Sequence, residues 1–369
     1  MQVTLLPGNA KPWDGIEVYS FELAKRLSNK GIYVIGLRIS SKDDVFQYNK
    51  NFEVDYVKTS ELQGGLGYHI RTLEMVIKKS RILIDSDIIH AIGGYYASIE
   101  FFPSSKKVAT IIGASSLREK SILRKSLRRI YGSLIYRFAS LYIVPNEIIK
   151  NEVKKYYRIN PVVIPIGIDI NGLKINEKKD DIKAKYGFNE TDKIVLYLGQ
   201  LVNGKRLFEL IRSFKVASEK SDNIKLLFVA WGYLKDQLKE LARQLKIENK
   251  IFFMNPVEYE MRKYVYNIAD VFVMLGDSFG DGGISSAVMD ALGTGLPIIV
   301  SKNSSNIVVV KDGYNGFTVD PQKYDEVASA ILTSIENKEV FGKNSLEIAK
   351  KFDWDIIADE IIQKYKTLL

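Results

Sequence analysis

One pattern of apolar runs repeats along the sequence and limits the folds that this chain can adopt. Runs of strand length, such as residues 88–91 and 141–144, alternate with segments long enough for a helix, and the alternation restarts at residue 194. Strand–helix–strand units build parallel sheets with helical crossovers. Ligands of such sheets bind beyond the carboxyl ends of the strands. The sequence therefore predicts an α/β protein with two Rossmann-like, doubly wound domains that face a cleft.

The domain limits follow from the places where this alternation stops. A chain of 369 residues is long enough for two domains. Residues 171–192 are polar and charged, which indicates a linker that runs into a short helix. We therefore expect an N-terminal domain over residues 1–170 and a C-terminal domain over residues 193–353.

The composition excludes several kinds of chemistry. The chain has no cysteine, which excludes disulfides, thiolate catalysis and cysteine-based metal centres. It has two histidines, and no His–carboxylate cluster has metal spacing, so we expect neither a protein-bound metal nor a cofactor. The net charge of +9 favours an anionic partner. Because no nucleic-acid recognition motif accompanies this charge, we expect no nucleic acid.

The sequence favours a cytoplasmic location. Its first residues form one short strand, not a signal peptide, and no apolar run approaches the roughly 18 residues of a transmembrane helix. Residues 117–138 predict a basic amphipathic helix. This helix could dock on an anionic membrane surface, making the protein peripheral on the inner face of the cell membrane, or cradle a phosphate-bearing acceptor. The alternative is a core-packed helix with a solvated face.

A glycine-rich stretch over residues 280–300 predicts a ligand-binding loop that opens into a helix and then a strand. Ser285 and Ser286 can cap the helix through their side-chain oxygens. Free amides and the positive end of the helix dipole suit a phosphate or sugar hydroxyls. Asp290, further along the helix, could take two ribose hydroxyls. The alternative is an ordinary glycine-rich turn with a solvated aspartate.

A second glycine-bearing loop leaves the first strand of the C-terminal domain at Gly199 and Gln200. It continues to Lys205 and Arg206, which could balance a diphosphate leaving group as its charge develops. The alternative is that both cations are solvated. Because the helix dipole does not favour a cation at a helix start, a functional role is the better interpretation for Lys205.

Two positions of the N-terminal domain are candidates for the same cleft. Gly15 begins the first helix and would let a phosphate or an acceptor approach the backbone, while Asp14 before it is expected to act as an N-cap. His90 ends a strand, and strand ends line the cleft. A lone histidine is nevertheless more often structural than catalytic.

Several motifs together resemble one family over nearly the whole chain. In chain order they lie at residues 14–19, 165–169, 199–205, 229–232, 253–255, 269–273, 290–297, 312–316 and 352–354. This order resembles the retaining family 4 (group 1) glycosyltransferases of the GT-B architecture. The resemblance implies that the final helix, over residues 354–369, packs back on the N-terminal domain.

By the same resemblance, the protein is a metal-independent hexosyltransferase that retains anomeric configuration. It would move a sugar from a nucleotide diphosphate sugar to a hydroxyl acceptor: a glycan, a lipid-linked saccharide or a polysaccharide. The implied catalytic residues are Lys205, Asp281 and His90. The implied donor-binding residues are Gly15, Gly199, Gln200, Lys205, Arg206, Met254, Asn255, Gly282, Gly283, Ile284 and Asp290.

The sequence departs from the family at three places. The second family glutamate is Asp290, and eight residues before it stands Gly282, so either Asp281 replaces the first carboxylate or that role is lost. Gln200 stands where the family has a phosphate-binding arginine, and Ile112 where it often has a histidine. These departures keep open a second function, that of a catalytically weakened nucleotide-sugar-binding partner subunit of an active transferase.

Overall fold

Two compact units make up the protein, and the computed structural model describes residues 1–9, 12, 14–99, 102, 106–112, 138–276 and 283–369. Within these limits, the first unit comprises Met1–Gly167, Gly283 and Trp354–Leu369. The second unit comprises the described parts of Ile168–Phe279 and Ile284–Asp353. Each unit has its own sheet, and both sheets are almost entirely parallel, which confirms the predicted α/β fold class.

The described strands follow the apolar runs of the sequence. They are β1 (Gln2–Leu6), β2 (Tyr33–Ser40), β3 (Asp44–Asn49), β4 (Phe52–Lys58), β5 (Ile88–Ile92), β6 (Lys107–Thr110), β7 (Leu141–Val144), β8 (Val162–Val163), β9 (Lys193–Gln200), β10 (Ile224–Trp231), β11 (Ile251–Met254), β12 (Val271–Met274), β13 (Ile298–Ser301) and β14 (Gly316–Val319).

The described α-helices cover the faces of the two sheets. They are α1 (Gly15–Asn29), α2 (Gly64–Lys78), α3 (Ser80–Asp85), α4 (Tyr96–Ile99), α5 (Glu147–Tyr157), α6 (Lys179–Lys185), α7 (Leu207–Lys220), α8 (Lys235–Gln244), α9 (Arg262–Ile268), α10 (Ser286–Thr294), α11 (Tyr324–Glu336), α12 (Lys338–Ala349) and α13 (Trp354–Lys366). No helix of the described chain is long and apolar enough to cross a membrane.

Both sheets have the strand order of a doubly wound fold. The first sheet runs β3-β4-β2-β1-β5-β6-β7-β8, and only the β3–β4 pair is antiparallel. The second sheet runs β11-β10-β9-β12-β13-β14, with every pair parallel. In each sheet the chain winds outward in both directions from a central pair, β1 and β5 in the first and β9 and β12 in the second. The carboxyl ends of such a pair form the switch point where ligands of doubly wound sheets bind.

The last helix, α13, packs within the first unit. The ring of Trp354 lies edge-on to Tyr19 of α1, with centroids 5.2 Å apart. A β-carbon at Gly167 would lie 2.3 Å from Cδ2 of Trp354, so this approach requires glycine. Two ion pairs add to the packing, from Arg26 to Asp355 and from Lys30 to Asp359.

Residues 171–192, which the sequence indicates as a linker that runs into a short helix, contain that helix, but they are also anchored in the second unit. Leu173, Ile182 and Phe188 are buried in the hydrophobic core of the second unit, and α6 lies within the segment. Charged residues surround these three side chains in the sequence, so the average composition hides the apolar positions that anchor the segment.

Candidate functional site

The loops after β9 and β12 meet at the switch point of the second sheet. Lys205 follows β9, and Gly276 follows β12. A β-carbon at Gly276 would lie 3.3 Å from Cδ of Lys205, so the lysine stem runs directly along the end of β12. In the described part of the chain, no carboxylate lies within ion-pairing distance of the half-buried Lys205. Among the described residues, this amino group therefore has no counter-charge at the place where doubly wound sheets bind ligands.

The neighbouring residues of this loop are arranged differently. Gly199 has a φ of +154°, and the hydroxyl of Tyr197 donates to the carbonyl oxygen of Gln200 at 2.8 Å. The Gln200 residue is exposed. Arg206 precedes α7 and places Nη1 3.0 Å from Oε1 of Glu209. Arg206 is thus already paired with a carboxylate on its own helix.

Met254 and Asn255 lie at the carboxyl end of β11, two strands from β9 in the same sheet. Met254 pairs in register with Val229 of β10 and is half-buried, whereas Asn255 is exposed. The backbone of both residues therefore lies at the same sheet edge as the β9 loop.

The helix α10 begins at the expected place but is not capped as expected. Ser285 is the N-cap residue, yet no side-chain oxygen accepts a capping hydrogen bond there. Instead, the backbone amide of Ser285 donates to Oδ1 of Asn306 at 2.8 Å. Asn306 from a later turn thus satisfies an amide of this helix start.

Asp290 of α10 is paired with Arg262 of α9. Nε of Arg262 donates to Oδ2 of Asp290 at 3.0 Å, and the exposed fractions of the two side chains are 8% and 14%. Burial raises the pKa of the Asp290 carboxyl, and the positive charge of Arg262 opposes that rise. The arrangement presents a desolvated carboxylate with a fixed cationic partner.

Of the predicted glycine loop, Asp281 and Gly282 lie outside the described residues. The backbone amide of Gly283 donates to the carbonyl oxygen of Ile112 at 2.5 Å, within the first unit. The Ile284 side chain is buried in the core of the second unit. The Gly283 amide is therefore already occupied, in contrast to the expectation that it is free for a ligand.

The start of α1 has the cap that the sequence predicts. Oδ1 of Asp14 accepts hydrogen bonds from the amides of Ile16 and Glu17, both at 2.9 Å, which confirms Asp14 as the N-cap. Gly15 is the first residue of this helix. It lies beyond the carboxyl end of β1, which belongs to the switch point of the first sheet.

His90 lies in the core of the first unit, and its position does not support the expected catalytic role. The residue is 0% exposed. Its Nδ1 is 2.5 Å from the hydroxyl of Tyr365, and its Nε2 is 2.6 Å from Oγ1 of Thr110. Burial lowers the pKa of the imidazole to about 3, so the ring is neutral near pH 7. With both nitrogens engaged, His90 has no atom left to contact a substrate.

The predicted basic helix over residues 117–138 is not part of this geometry. Residues 113–137 lie outside the described residues, so its helical structure and its membrane role stay predictions. Among the described residues, no three histidine or carboxylate side chains come together as a metal site.

Two family models match the chain, one for each half. Residues 13–171 match the model "Glycosyltransferase Family 4", and residues 178–351 match "Glycosyl transferases group 1". The chain is a glycosyltransferase of the GT-B, family 4 type. The resemblance seen in the sequence motifs is thus confirmed.

Individual relatives of this glycosyltransferase agree with the assignment. An uncharacterized glycosyltransferase of Methanocaldococcus jannaschii is 24% identical, over 100% of this chain and 98% of the relative. Sucrose-phosphate synthase from Thermosynechococcus elongatus has the same fold, with a TM-score of 0.82, 18% identity and coverage of 100% and 98%. Anabaena HepE, solved in complex with UDP-glucose, has a TM-score of 0.78, 18% identity and full coverage of both chains.

Arg262 is not among the site residues predicted from the sequence of this glycosyltransferase. A signal was present, because Arg262 is the first residue of α9, where the helix dipole disfavours a cation. The same argument singled out Lys205. It does not identify the partner, which lies 28 residues further along the chain.

Proposed function

We propose that this glycosyltransferase moves a sugar from a nucleotide diphosphate sugar to a hydroxyl acceptor, with retention of anomeric configuration and without a metal ion. The observation that carries the proposal is the position of Lys205. Its ammonium group has no carboxylate partner among the described residues, and its stem lies against Gly276 at the switch point of the second sheet. A diphosphate that gains negative charge as it leaves is stabilised by such a pre-placed cation.

The other donor contacts in this proposal come from the same sheet edge. Backbone groups of Met254 and Asn255 would hold the base, and Asp290 would hold the ribose. The amides of Gly282 and Ile284 would meet the sugar and phosphates, and Asp281 would take the role of the first family carboxylate. UDP-glucose in the structure of Anabaena HepE supports a nucleotide-sugar donor. Residues 193–353 would thus form the donor domain.

The acceptor in this proposal is a hydroxyl of a glycan, a lipid-linked saccharide or a polysaccharide, bound by residues 1–170 near Gly15. In front-face attack the leaving phosphate takes the acceptor proton, so no protein nucleophile is required. That scheme agrees with a chain that has no cysteine and whose His90 is fully buried. A lipid-linked acceptor would also agree with a protein that is peripheral on the inner face of the membrane through residues 117–138.

The test is calorimetric binding of UDP, GDP and ADP to the wild type, Lys205→Ala and Lys220→Ala. Lys220 is an exposed lysine at the opposite end of α7 and serves as the matched control. We expect one nucleotide to bind the wild type, with affinity reduced about tenfold or more in Lys205→Ala, since a charge-assisted contact is lost. Equal affinities for both variants would remove Lys205 from the site, and no binding to the wild type would contradict the proposed donor class.

A second function, that of a nucleotide-sugar-binding partner subunit with weakened catalysis, is favoured by one arrangement. Gln200 stands at the position of the family arginine, and the nearby Arg206 is paired with Glu209. Neither residue therefore supplies a second uncompensated cation for the diphosphate. Donor hydrolysis by the isolated protein separates the two functions, because a partner subunit would bind the donor without releasing free sugar.

A further inference from the structure

Arg262 is held in one orientation by three contacts. Its Nη1 donates to the carbonyl oxygen of Tyr259 at 2.7 Å, and its guanidinium carbon lies 3.4 Å from the centroid of the Tyr259 ring. Its Nε donates to Oδ2 of Asp290 at 3.0 Å. A planar guanidinium that is engaged on its face and on two of its nitrogens has little freedom left. The Arg262 side chain therefore holds the carboxylate of Asp290 in a fixed position.

The hydrogen bond from Arg262 to Asp290 involves Oδ2 of the carboxylate and not Oδ1. No hydrogen-bond donor reaches Oδ1 in the part of the chain that the structure describes, and the Asp290 side chain keeps 14% exposure. The backbone carbonyl oxygen of Asp290 is fixed separately by Oγ1 of Thr294 at 2.8 Å. A carboxylate anchored through one oxygen presents the other as an oriented acceptor for a hydroxyl.

The groups around Asp290 shift the pKa of its carboxyl in opposite directions. Burial raises the pKa of its carboxyl, Arg262 lowers it, and the negative charge of Asp169 raises it again. Tyr266, also on α9, stays neutral because burial raises the pKa of its hydroxyl well above the usual value. Arg262 is thus the positive group that favours the ionised form of Asp290 among these neighbours.

We infer that Arg262 is a positioning residue for the nucleotide ribose, which orients Asp290 so that Oδ1 accepts a hydrogen bond from a ribose hydroxyl. The inference rests on the proposed function, in which Asp290 holds the ribose. Aspartate is one methylene shorter than the glutamate that the family resemblance places here. A rigid partner therefore matters more for the orientation of this side chain, and Arg262 supplies it.

The experiment compares ribose recognition, which a merely structural arginine would not control. Dissociation constants are measured for UDP (or for GDP or ADP, whichever binds) and for its 2′-deoxy and 3′-deoxy counterparts. The proteins are the wild type, Arg262→Met, Arg262→Lys and Arg243→Met. Arg243 pairs with Glu240 on the exposed face of α8 at 2.8 Å and is the matched control. We expect the wild type and the control to prefer a ribonucleotide by about tenfold, and Arg262→Met to lose this preference to within about twofold.

The pH dependence of the same preference adds a second readout. Protonation of Asp290 removes the acceptor, so the preference weakens as the pH is lowered, and the raised pKa of this carboxyl moves that loss to higher pH than for an ordinary aspartate. In Arg262→Met the carboxyl loses its cation and protonates at higher pH, so any remaining preference disappears earlier in the titration. Arg262→Lys keeps a charge but not the Nε contact, and we expect a reduced preference with a pH dependence close to that of the wild type.

The outcomes separate this inference from the proposed function. If the wild type binds a ribonucleotide and its deoxy forms equally, or if Arg262→Met keeps the full preference and is only less stable, the inference is overturned while nucleotide binding stands. If no nucleotide binds the wild type, the proposed function and the inference both fall. Arg262→Lys keeps the test decisive should Arg262→Met fail to fold.

Discussion

Lys205 and Arg206 are neighbours in the sequence but differ in electrostatic surroundings. Among the described residues, Lys205 has no carboxylate partner, whereas Arg206 lies 3.0 Å from Glu209. A cation that is already paired gains less from an arriving phosphate, because that phosphate must compete with the carboxylate. The difference argues for Lys205 as the principal phosphate contact.

His90 offers a prediction at the same scale, because its role is structural. We expect His90→Ala to lower the free energy of unfolding by about 2–3 kcal/mol, since it leaves Tyr365 and Thr110 without their partner and removes buried volume. Nucleotide affinity should stay within about twofold of the wild type. Urea unfolding and calorimetry measure the two quantities, and His69→Ala, at the exposed second histidine, is the matched control.

The pH dependence of this variant has a defined sign. The pKa of His90 is about 3 in the folded protein, below its ordinary value of 6.5, so only the unfolded chain binds this proton between those values. The free energy of unfolding therefore falls as pH decreases from 6.5 towards 3, and His90→Ala should remove that part of the slope. An unchanged slope, or a tenfold loss of nucleotide affinity, would contradict the structural role.

The candidate site was only partly predictable from single residues. Lys205 was singled out because a strand-end loop and an unfavourable helix dipole both point to it, and its role stays a prediction. His90 was expected at a strand end, but it lies in the middle of β5, and its partner Tyr365 comes from a helix 275 residues later, which local sequence cannot reveal. Arg262 was missed for the same reason, because its role depends on Asp290 of another helix.

At the scale of elements, strands formed by continuous apolar runs were easier to predict than strands that mix apolar and charged residues. The apolar runs that became β9 and β12 are continuous because both faces of a central parallel strand are covered. The strand β4 was not predicted, because charged residues interrupt its apolar ones, although it is mostly buried. The edge strand β3 was not predicted either, since it is almost wholly exposed. Its pairing with β4 is antiparallel, so it also lacks the crossover helix that marks the other strands.

Asp270, directly before β12, joins three other elements of the second unit, and its removal gives a prediction at this scale. Oδ1 accepts from Nζ of Lys179 at 3.0 Å and of Lys338 at 2.7 Å, and Oδ2 accepts from the Ile194 amide at 2.7 Å. We expect Asp270→Ala to lower the free energy of unfolding by about 3 kcal/mol, because two partly buried lysines lose their counter-charge. Urea unfolding tests this, with Asp222→Ala, at an exposed ion pair, as the control.

The same cluster makes stability depend on alkaline pH. Burial and the neighbouring Lys338 lower the pKa of Lys179 to about 7, from 10.5, although Asp270 opposes the shift. Between these values the unfolded chain binds a proton that the folded protein does not, so the cluster stabilises the fold more as pH rises from 7 towards 10.5. Lys179→Met should flatten this rise, and a rise of wild-type size in that variant would contradict the assignment.

At the scale of the whole molecule, the chain closes the first unit with its last helix. The first unit therefore depends on residues separated by most of the sequence, from Tyr19 of α1 to Trp354 and Tyr365 of α13. Local patterns predicted the helix itself, and only the family resemblance predicted where it packs. The physical reason is that an apolar helix face does not specify its partner surface, whereas the close approach of Trp354 to Gly167 does.

Trp354 is the residue through which this dependence can be tested. It is 2% exposed, and its replacement by alanine leaves a large cavity against Tyr19 and Gly167. We expect Trp354→Ala to lower the free energy of unfolding of the first unit by about 3–5 kcal/mol. Ile356→Ala, at a residue of the same helix that is 55% exposed, should change it by less than about 1 kcal/mol.

Calorimetric melting with and without the bound nucleotide assigns the transitions, because a ligand of the second unit raises the melting temperature of that unit. If the first unit depends on α13 as its contacts indicate, Trp354→Ala lowers the melting temperature of the transition that does not respond to nucleotide. The melting temperature of the nucleotide-dependent transition then stays unchanged. An equal fall of both melting temperatures would mean that the units do not unfold separately.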